Sequence, residues 1–472
     1  METQESPSVV SLELCKVGAS SSTSSDSLKN VESLASALPP KHGTTHTRWL
    51  SHTFFTVYRK MFAAIFTLNM IALVIFMVKN DGSPTMANAK NACSANILAS
   101  ILMRQENAVN LVYELFTCVP HSVPLVIRKK LAKVYHYGGV HSGCGVAAVF
   151  WFVLYTILAT IHFAQNPSHG LPVANVVTCY FCVTMFIFIL AGAYPRIRIK
   201  FHDHFEAVHR FAGWSALMTL WAQTFIIAVH TYNTTQVSLA HAIFTAPSFW
   251  FIGLSTCCTF LSWSRLRQRA VRAEVLSPHA TRLHFDYRNM PPFYGLKISD
   301  RPMLEWHAFA TIPAADGKGF SVVVSNAGDW TRKTIQNPPK KLWTRGYPLH
   351  GLLYTTRLFR QIVLVATGSG IGPCLSLMHS NKTPRRIFWS TRDPVQTYGQ
   401  GVVDTVLNAD PNAVIWNTSG RNYPDMVLEV WKLILECNAE AVFIISNPKV
   451  TKKVVYGMES RGVAAYGAIF DS

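Results

Sequence analysis

The sequence has little charge for its length. Charged residues make up 14% of the 472 residues, and 25 acidic residues stand against 43 lysines and arginines, a formal net charge of +18. Soluble domains carry about 25% charged residues, so the composition disfavours an ordinary water-soluble protein. The basic residues cluster beside apolar runs, which is typical of membrane topology and not of nucleic-acid binding. We therefore expect a lipid bilayer as partner and no nucleic acid.

Two further features are absent. The ten cysteines have no metal-type spacing, and those in apolar stretches are expected to be small buried hydrophobes. No apolar core precedes residue 52, so we expect no cleavable signal peptide. The serine-rich residues 1–50 are predicted to form a disordered cytosolic tail.

Long apolar runs are what the chain has instead. Six of them approach the roughly 20 residues that a membrane helix needs. They cover residues 55–78, 95–119, 142–163, 172–193, 210–230 and 247–263. They predict a polytopic α-helical membrane domain of six helices over residues 51–265. Arg104 and Glu106 interrupt the second run, which indicates a paired or functional group at depth, or a helix that begins later.

The loops between these runs set the topology. Lysines and arginines lie between the second and third runs, between the fourth and fifth, and after the sixth, whereas residues 164–171 and 231–246 contain no charged residue. The positive-inside rule then places both termini of a multi-pass protein in the cytosol, in the plasma membrane or an endomembrane. Asn233, in a glycosylation sequon, falls on the outer side.

The second half of the chain changes character. Alternating runs at 282–285, 306–312 and 320–324 predict an antiparallel β unit over residues 273–350. Strands at 361–366, 386–390, 413–416 and 441–446 alternate with helical segments and predict an α/β domain over residues 360–472.

A glycine-rich turn opens the α/β domain. An apolar run, 362–366, leads into Thr367-Gly368-Ser369-Gly370-Ile371-Gly372-Pro373. The pattern predicts a buried strand, a turn and a helix, and the free N–H groups of such a helix start suit a phosphate. A plain strand-to-helix turn is the alternative interpretation.

Two short motifs lie in the β unit. Alternation along a strand puts His307, Phe309 and Thr311 on one face, which could line a flavin or belong to an ordinary half-buried strand. The second motif is Gly328-Asp329-Trp330-Thr331.

These motifs carry a family resemblance. His307 to Thr311 is similar to the flavin motif of the ferric reductase and NADPH oxidase family, and Gly328 to Thr331 and Thr367 to Pro373 resemble two further segments of it. From about residue 50 the chain resembles the fungal TmpA-type integral membrane flavoproteins, a divergent branch. That likeness is carried by residues 137–144, 342–346 and 470–472. It implies a ferredoxin-reductase-like module, an antiparallel β-barrel with an α/β nucleotide domain, behind a cytochrome-like membrane domain.

The resemblance also implies cofactor sites. His307, Phe309 and Thr311 would surround FAD, with residues 328–331 near its phosphates. Ser446 stands where the family has the cysteine beside hydride transfer, and Phe470 resembles the terminal aromatic that covers the flavin. Ala308 and Ala310 depart from the family motif, where proline and a hydroxyl residue are usual.

The adenosine end of the nucleotide is predicted after the second strand. Ser390 and Arg392, followed by Tyr398, suit a 2′-phosphate, because a guanidinium pairs well with phosphate oxygens. Asp393 is close, but no acid ends the strand, so the sequence favours NADPH over NADH. A solvated loop arginine is the alternative.

Histidines on the third and fifth runs indicate a haem. His141 and His209 could hold one inner b-type haem. In the family each of these helices carries a second histidine for a stacked outer haem, but here the next one, His162 or His230, follows after 21 residues.

Taken together, these features predict an NADPH-dependent flavoprotein that passes electrons to FAD, with one haem as an optional carrier, and on to an unknown small-molecule acceptor. The alternative is a flavin- or nucleotide-binding membrane sensor or scaffold with little turnover. The sequence sets neither the acceptor nor the oligomeric state.

Overall fold

The structure is a computed structural model that describes residues 38–82, 84–166, 171–380 and 383–468. Helices make up its N-terminal half. They are α1 (Thr45–Trp49), α2 (Val57–Lys79), α3 (Met86–Leu102), α4 (Glu106–Thr117), α5 (Leu125–Leu131), α6 (Gly138–Gln165), α7 (Val173–Ala193), α8 (Pro195–Lys200), α9 (His202–Thr235), α10 (Leu239–Phe244) and α11 (Pro247–Ser264). Leu50–Phe54 forms a π-helical turn and Ala132–His136 a 3₁₀ turn.

Four of the described helices are long and apolar enough to cross a membrane, judged by length and composition alone. These are α2, α6, α7 and α9. The sixth predicted run is the 18-residue helix α11, which falls outside this set. Four of the six predicted spanning helices thus have the length and composition that crossing a membrane requires.

The predicted single helix over residues 95–119 is wrong. Helix α3 ends at Leu102, and α4 begins at Glu106. The polar residues between them cause the break, since the Gln105 side chain accepts a 2.8 Å hydrogen bond from the Ala108 N–H and so caps α4. The structure therefore agrees with the second interpretation of Arg104 and Glu106, in which a helix begins later.

The β unit consists of two four-stranded antiparallel sheets with a shared core. One has the order β1-β8-β4-β5 and the other β2-β3-β7-β6. The strands are β1 (Arg267–Ala270), β2 (Arg272–Ser277), β3 (Ala280–Phe285), β4 (Tyr294–Ser299), β5 (His307–Ala310), β6 (Ile312–Pro313), β7 (Phe320–Ser325) and β8 (Lys341–His350), and α12 (Asp329–Gln336) lies between β7 and β8. Inward residues alternate along β7, where Phe320, Val322 and Val324 are buried.

The C-terminal domain is an open parallel sheet with the strand order β11-β10-β9-β12-β13. Its strands are β9 (Ile362–Thr367), β10 (Arg385–Thr391), β11 (Val414–Asn417), β12 (Ala441–Ile445) and β13 (Ala464–Gly467). Its helices are α13 (Ile371–Met378), α14 (Pro394–Tyr398), α15 (Gln400–Ala409), α16 (Met426–Cys437) and α17 (Pro448–Glu459). β12 is buried throughout, as expected for a central strand covered on both faces. The predicted parallel α/β pattern is confirmed.

Basic residues between α4 and α6 hold the helical half against the parallel sheet. Arg128 is 3% exposed and pairs with both carboxylate oxygens of Glu440, at 2.8 and 3.0 Å. Lys133 pairs with Glu459 at 2.5 Å. The charges that indicated topology in the sequence therefore also make ion pairs with the C-terminal domain.

The end of the predicted disordered tail is ordered. Leu38 packs against the core of the parallel sheet, Arg461 donates a 2.7 Å hydrogen bond to the Pro39 carbonyl, and His42 N–H donates to the Ser460 carbonyl at 2.8 Å. The prediction of a disordered tail is therefore wrong for residues 38–50. Residues 1–37 lie outside the described part.

Candidate functional site

The order of the parallel strands reverses within the sheet of the C-terminal domain. The first strand of the domain, β9, pairs with β10 on one side and with β12 on the other. Connections after β9 and β12 therefore leave in opposite directions, which separates the loops at their carboxyl ends. The predicted turn, Thr367 to Pro373, lies at this point as a 3₁₀ turn (Gly368–Gly370) leading into α13.

The three glycines of this turn differ in how closely they are packed and in their backbone conformation. Gly370 is the tightest, because a Cβ there would lie 2.0 Å from the Ile445 carbonyl oxygen at the end of β12. Gly368 has a φ of +48°, in the left-handed region that favours glycine. A Cβ on Gly372 would lie 3.5 Å from Val323 of the barrel, at ordinary contact distance. The requirement for glycine thus arises from packing and backbone conformation as well as from space for a phosphate.

Thr367 and Ser446 contact each other at the carboxyl ends of β9 and β12. Their side-chain hydroxyls are hydrogen-bonded, and Ser446 is 3% exposed. Ser446 directly follows β12 and its carbonyl accepts a 3.0 Å hydrogen bond from the Thr451 hydroxyl. The sequence predicted Ser446 beside hydride transfer, and the structure places it at the base of the glycine turn.

Tyr398 lies behind the turn and not at its rim. Its ring is buried 5.5 Å from the ring of Trp389, whose indole N–H donates to the Gly368 carbonyl at 3.1 Å. Burial raises the pKa of Tyr398 to about 12. Tyr398 is thus packed beside the glycine turn and is 5% exposed.

Ser390 and Arg392 end β10 as predicted, Ser390 buried and Arg392 exposed. The neighbouring Asp393 is occupied within the protein. Its carboxylate accepts hydrogen bonds from the Ser419 hydroxyl at 2.6 Å and the Asn417 amide at 3.3 Å. These bonds, that from Ser419 foremost, hold the pKa of Asp393 below its ordinary value.

The predicted flavin face on β5 is partly assembled. The His307 ring stacks on the Trp330 ring with centroids 4.1 Å apart, and the Phe309 ring lies 6.0 Å from Trp330. Thr311 is fully buried, and its hydroxyl donates to the Tyr294 carbonyl at 3.0 Å. His307 and Phe309 thus form an aromatic wall with Trp330, whereas the Thr311 hydroxyl is occupied by a backbone hydrogen bond.

The segment Gly328 to Thr331 forms the start of α12. The Thr331 hydroxyl accepts from the Ala327 and Gly328 N–H groups at 2.9 Å each, so it caps the helix. The Asp329 side chain is fully exposed and lies 3.4 Å from Arg332. Gly328 has open space where a Cβ would be, which suits the close approach of a phosphate group.

Two contacts tie the barrel to its neighbours. The Ser376 hydroxyl of α13 accepts from the Phe293 N–H at 2.8 Å, which fixes the barrel to the nucleotide turn. On the other side, the Arg345 guanidinium lies 4.5 and 4.8 Å from the ring centroids of Trp263 and Trp306, which also contact each other edge to face. Trp306 precedes β5, so this cluster ties the predicted flavin strand to helix α11. Sequence reasoning missed it, because no local pattern marks an arginine for a tryptophan pair.

The predicted inner haem ligands lie together. The rings of His141 and His209 have centroids 6.2 Å apart. His141 Nδ1 lies 2.9 Å from the Ser100 carbonyl oxygen, which favours a proton on Nδ1 and leaves Nε2 free as a ligand. His209 Nδ1 is buried without a partner among the described residues. The two imidazoles are close enough that both would be able to hold one metal ion.

The residues at the positions of the family's second haem ligands are occupied within the protein. Tyr155 and Gln223 stand fourteen residues after His141 and His209. The Tyr155 hydroxyl donates to the Asn175 side chain at 3.2 Å, and the Gln223 amide donates to the Cys179 sulfur at 3.3 Å. All four side chains are buried, so these residues do not fit a second haem.

Two predicted residues remain. Asn233 is exposed in the last turn of α9. Phe470 lies outside the described residues.

These elements define the architecture of the protein. It is an open parallel sheet with a glycine turn at its switch point, joined to an antiparallel barrel and to a helical bundle. The family described as the C-terminal domain of adenylate-forming reductase 03009 matches residues 352–472. Adenylate-forming reductase 03009 of Coprinopsis cinerea is 42% identical over 92% of this chain and 42% of its own length. Adenylate-forming reductase 06235 of the same fungus is 41% identical over 93% and 42%. The chain thus spans less than half the length of these relatives.

Solved structures are similar at a lower level. A ferredoxin NADP+ reductase from Neisseria gonorrhoeae, with bound FAD and NADP, has a TM-score of 0.35 and 13% identity over 43% of this chain and 98% of its own. A flavohaem-like FAD/NAD-binding domain of a Vibrio cholerae nitric oxide dioxygenase has a TM-score of 0.31 and 14% identity, over 43% and 98%. Similarity at this level identifies no ligand for this chain.

Proposed function

We propose that the chain is a membrane-bound flavoprotein oxidoreductase that takes reducing equivalents from cytosolic NADPH. The observation that carries the proposal is the switch point at the carboxyl ends of β9 and β12, where the glycine turn meets the Thr367–Ser446 pair. Helix α13, which follows the turn, is fixed to the barrel by the hydrogen bond between Ser376 and Phe293. Residues 360–472 would bind the nucleotide, residues 273–350 the flavin, and residues 51–265 the membrane.

NADPH would bind with its pyrophosphate on the N–H groups of residues 368–372. Arg392, exposed beside Ser390, would pair with the 2′-phosphate. Asp393 supports NADPH over NADH, because its carboxylate is already satisfied by Ser419 and Asn417 and is not offered to a free 2′-hydroxyl. Ser446 would lie beside the nicotinamide, where its small side chain leaves room for the ring.

FAD would lie against His307, Phe309 and Trp330, with its phosphates towards Gly328. When bound, the flavin supplies the ability to accept a hydride and release electrons singly. The chain's own contribution is to hold the two ring systems together and to exclude water from the space between them.

One b-type haem would lie between His141 and His209. The Ser100 carbonyl would orient the His141 ring, as carbonyls commonly do for metal-bound histidines. The Tyr155 and Gln223 contacts support a single haem in place of a stacked pair.

The four apolar helices support a multi-pass protein. Both termini in the cytosol with Asn233 on the outer side would further require α3, of 17 residues, and α11, of 18, to cross the membrane. Ion pairs from residues 128 and 133 to the nucleotide domain support this orientation, because the basic loop and the cytosolic domain then share one side. The relatives' names support a reductase. The electron acceptor is proposed only as a small molecule.

A second candidate is a nucleotide-binding membrane sensor with little turnover. The observation that favours it is the commitment of polar groups to the fold: the Thr311 hydroxyl to Tyr294, and the Ser446 hydroxyl to Thr367.

An absorption spectrum of the purified protein before and after NADPH separates these candidates. We expect a flavin band that NADPH bleaches, and a Soret band that His209→Ala removes while His241→Ala, in the exposed helix α10, leaves it unchanged. A bound flavin that NADPH does not bleach would support the sensor. A protein without any chromophore after reconstitution with FAD and haem would overturn the reductase proposal.

A further inference from the structure

Helix α4 has two unlike faces. Its polar face is fixed to the β unit: the Asn110 amide donates to the Pro348 carbonyl at 2.9 Å, and its oxygen accepts from the His350 N–H at 2.9 Å. Glu106, one turn earlier, accepts from the Ser262 hydroxyl at the end of α11. Glu114, one turn later, lies 3.1 Å from His350 Nε2. Hydrogen bonds thus hold α4 against strand β8 and the end of α11 along its length.

The opposite side of α4 is apolar and uncovered. Leu111 is 58% exposed and Leu115 60%, one turn apart on the same stripe. In the following helix, α5, Val126 is 65% exposed and Ile127 47%. We call these four residues, with the exposed Phe116, the anchor face. Large apolar side chains exposed on two successive helices indicate an interaction surface in a folded protein.

The length of α4 excludes a membrane-spanning role. Its 12 residues extend about 18 Å at 1.5 Å per residue, well short of the roughly 30 Å hydrocarbon core. Its hydrogen bonds to the barrel also require it to lie at the water side, since a barrel with charged loops does not enter hydrocarbon.

The neighbouring elements fix the depth of α4 relative to the membrane. The segment α4–α5 joins the end of α3, at Leu102, to the start of α6, at Gly138, and α6 is one of the helices long and apolar enough to cross a membrane. The anchor face therefore lies where a spanning helix enters the bilayer, with its polar side towards the barrel.

We propose that α4 and α5 form an in-plane membrane anchor whose anchor face inserts into the boundary between headgroups and acyl chains. Amphipathic helices with one polar and one apolar face adopt this position. The occupant is the lipid bilayer. The anchor fixes the barrel, and with it the predicted flavin strand, at a set distance and tilt above the membrane surface. This inference rests on the membrane placement proposed above.

The test measures the accessibility of spin labels in the full chain, reconstituted in phosphatidylcholine nanodiscs. The exposed Cys118 and Cys257 are first replaced by serine. Single labels are then placed by Leu115→Cys on the anchor face, Val177→Cys on the exposed side of α7, and Asp329→Cys on the barrel. Oxygen collects in lipid and a nickel chelate stays in water, so their ratio reports the surroundings of each label.

We expect the label at position 115 to favour oxygen over nickel several-fold, like that at 177 and opposite to that at 329. A water-like label at 177 would overturn the membrane placement itself. A lipid-like label at 177 with a water-like label at 115 would overturn the anchor alone. A label at 115 that neither reagent reaches would show that protein, such as a second copy of the chain, covers the face, which also overturns the anchor.

Discussion

Arg128 and Glu440 are 312 residues apart in the chain and form a two-pronged ion pair, with N–O distances of 2.8 and 3.0 Å. The same guanidinium donates to the carbonyls of Leu358 at 2.6 Å and Val123 at 2.8 Å. The Arg128 side chain thus joins helix α5 to the start of strand β12 in the parallel sheet.

We expect Arg128→Ala to destabilise this junction by about 3–5 kcal/mol, because it leaves Glu440 and two carbonyls without their donor. Thermal unfolding of the detergent-solubilised protein measures the effect. Lys130→Ala, two residues away and exposed, is the matched control and should change little. Equal stability of the two variants would contradict a structural role for the pair.

The same pair predicts a pH dependence. The hydrogen bonds from Arg128 lower the pKa of Glu440 from its ordinary value of 4.5. A carboxyl with a lowered folded-state pKa stabilises the protein at pH values above its unfolded-state pKa, and this contribution is lost as the pH falls through the folded-state value. We expect the stability difference between the natural protein and Glu440→Gln to be constant at neutral pH and to shrink below about pH 4.5. A difference that grows on acidification would contradict the pairing.

Gly370→Ala tests the packing of the nucleotide turn. The added methyl group would meet the Ile445 carbonyl oxygen at 2.0 Å, so the turn must shift away from β12, at a cost of about 1–3 kcal/mol. We expect NADPH binding, followed by titration calorimetry, to weaken at least tenfold. Gly401→Ala has open space around it and should bind as the natural protein does. Normal NADPH binding by Gly370→Ala would show that the turn does not hold the nucleotide.

Arg392→Gln tests coenzyme choice. Loss of a charge-assisted contact to the 2′-phosphate costs about 1.5–3 kcal/mol, so the Kd for NADPH should rise roughly 10- to 150-fold. The Kd for NADH should stay the same, because NADH lacks that phosphate. Arg332→Gln, on the exposed side of α12, controls for the loss of one positive charge. An equal effect of Arg392→Gln on both coenzymes would remove the 2′-phosphate assignment.

The local patterns of the sequence determined the secondary structure of the C-terminal half. The apolar run before Thr367 and the glycines after it are enough to predict strand, turn and helix, because burial and positive φ are properties of short segments. The alternating runs of the barrel and the basic residues beside the apolar helices are of the same kind.

Only the tertiary structure decided the surroundings of the predicted site residues. Tyr398 follows the correct strand but folds under Trp389, and the hydroxyl of Thr311 bonds to a carbonyl 17 residues earlier. Neither outcome could be inferred from spacing, since both depend on where separate segments pack.

The hydropathy of the sequence determined how much apolar surface this chain must bury. It did not determine which segments or surroundings bury that surface. The run 95–119 is apolar enough to suggest one spanning helix, yet the Gln105 cap divides it and the barrel binds the polar face of its second half. Arg128, which counts in the sequence as one charge of a cytosolic loop, finds its partner only when the parallel sheet brings Glu440 to it. The physical reason is the same in both cases: burial is a property of residues, whereas the partner of a buried group is a property of the fold.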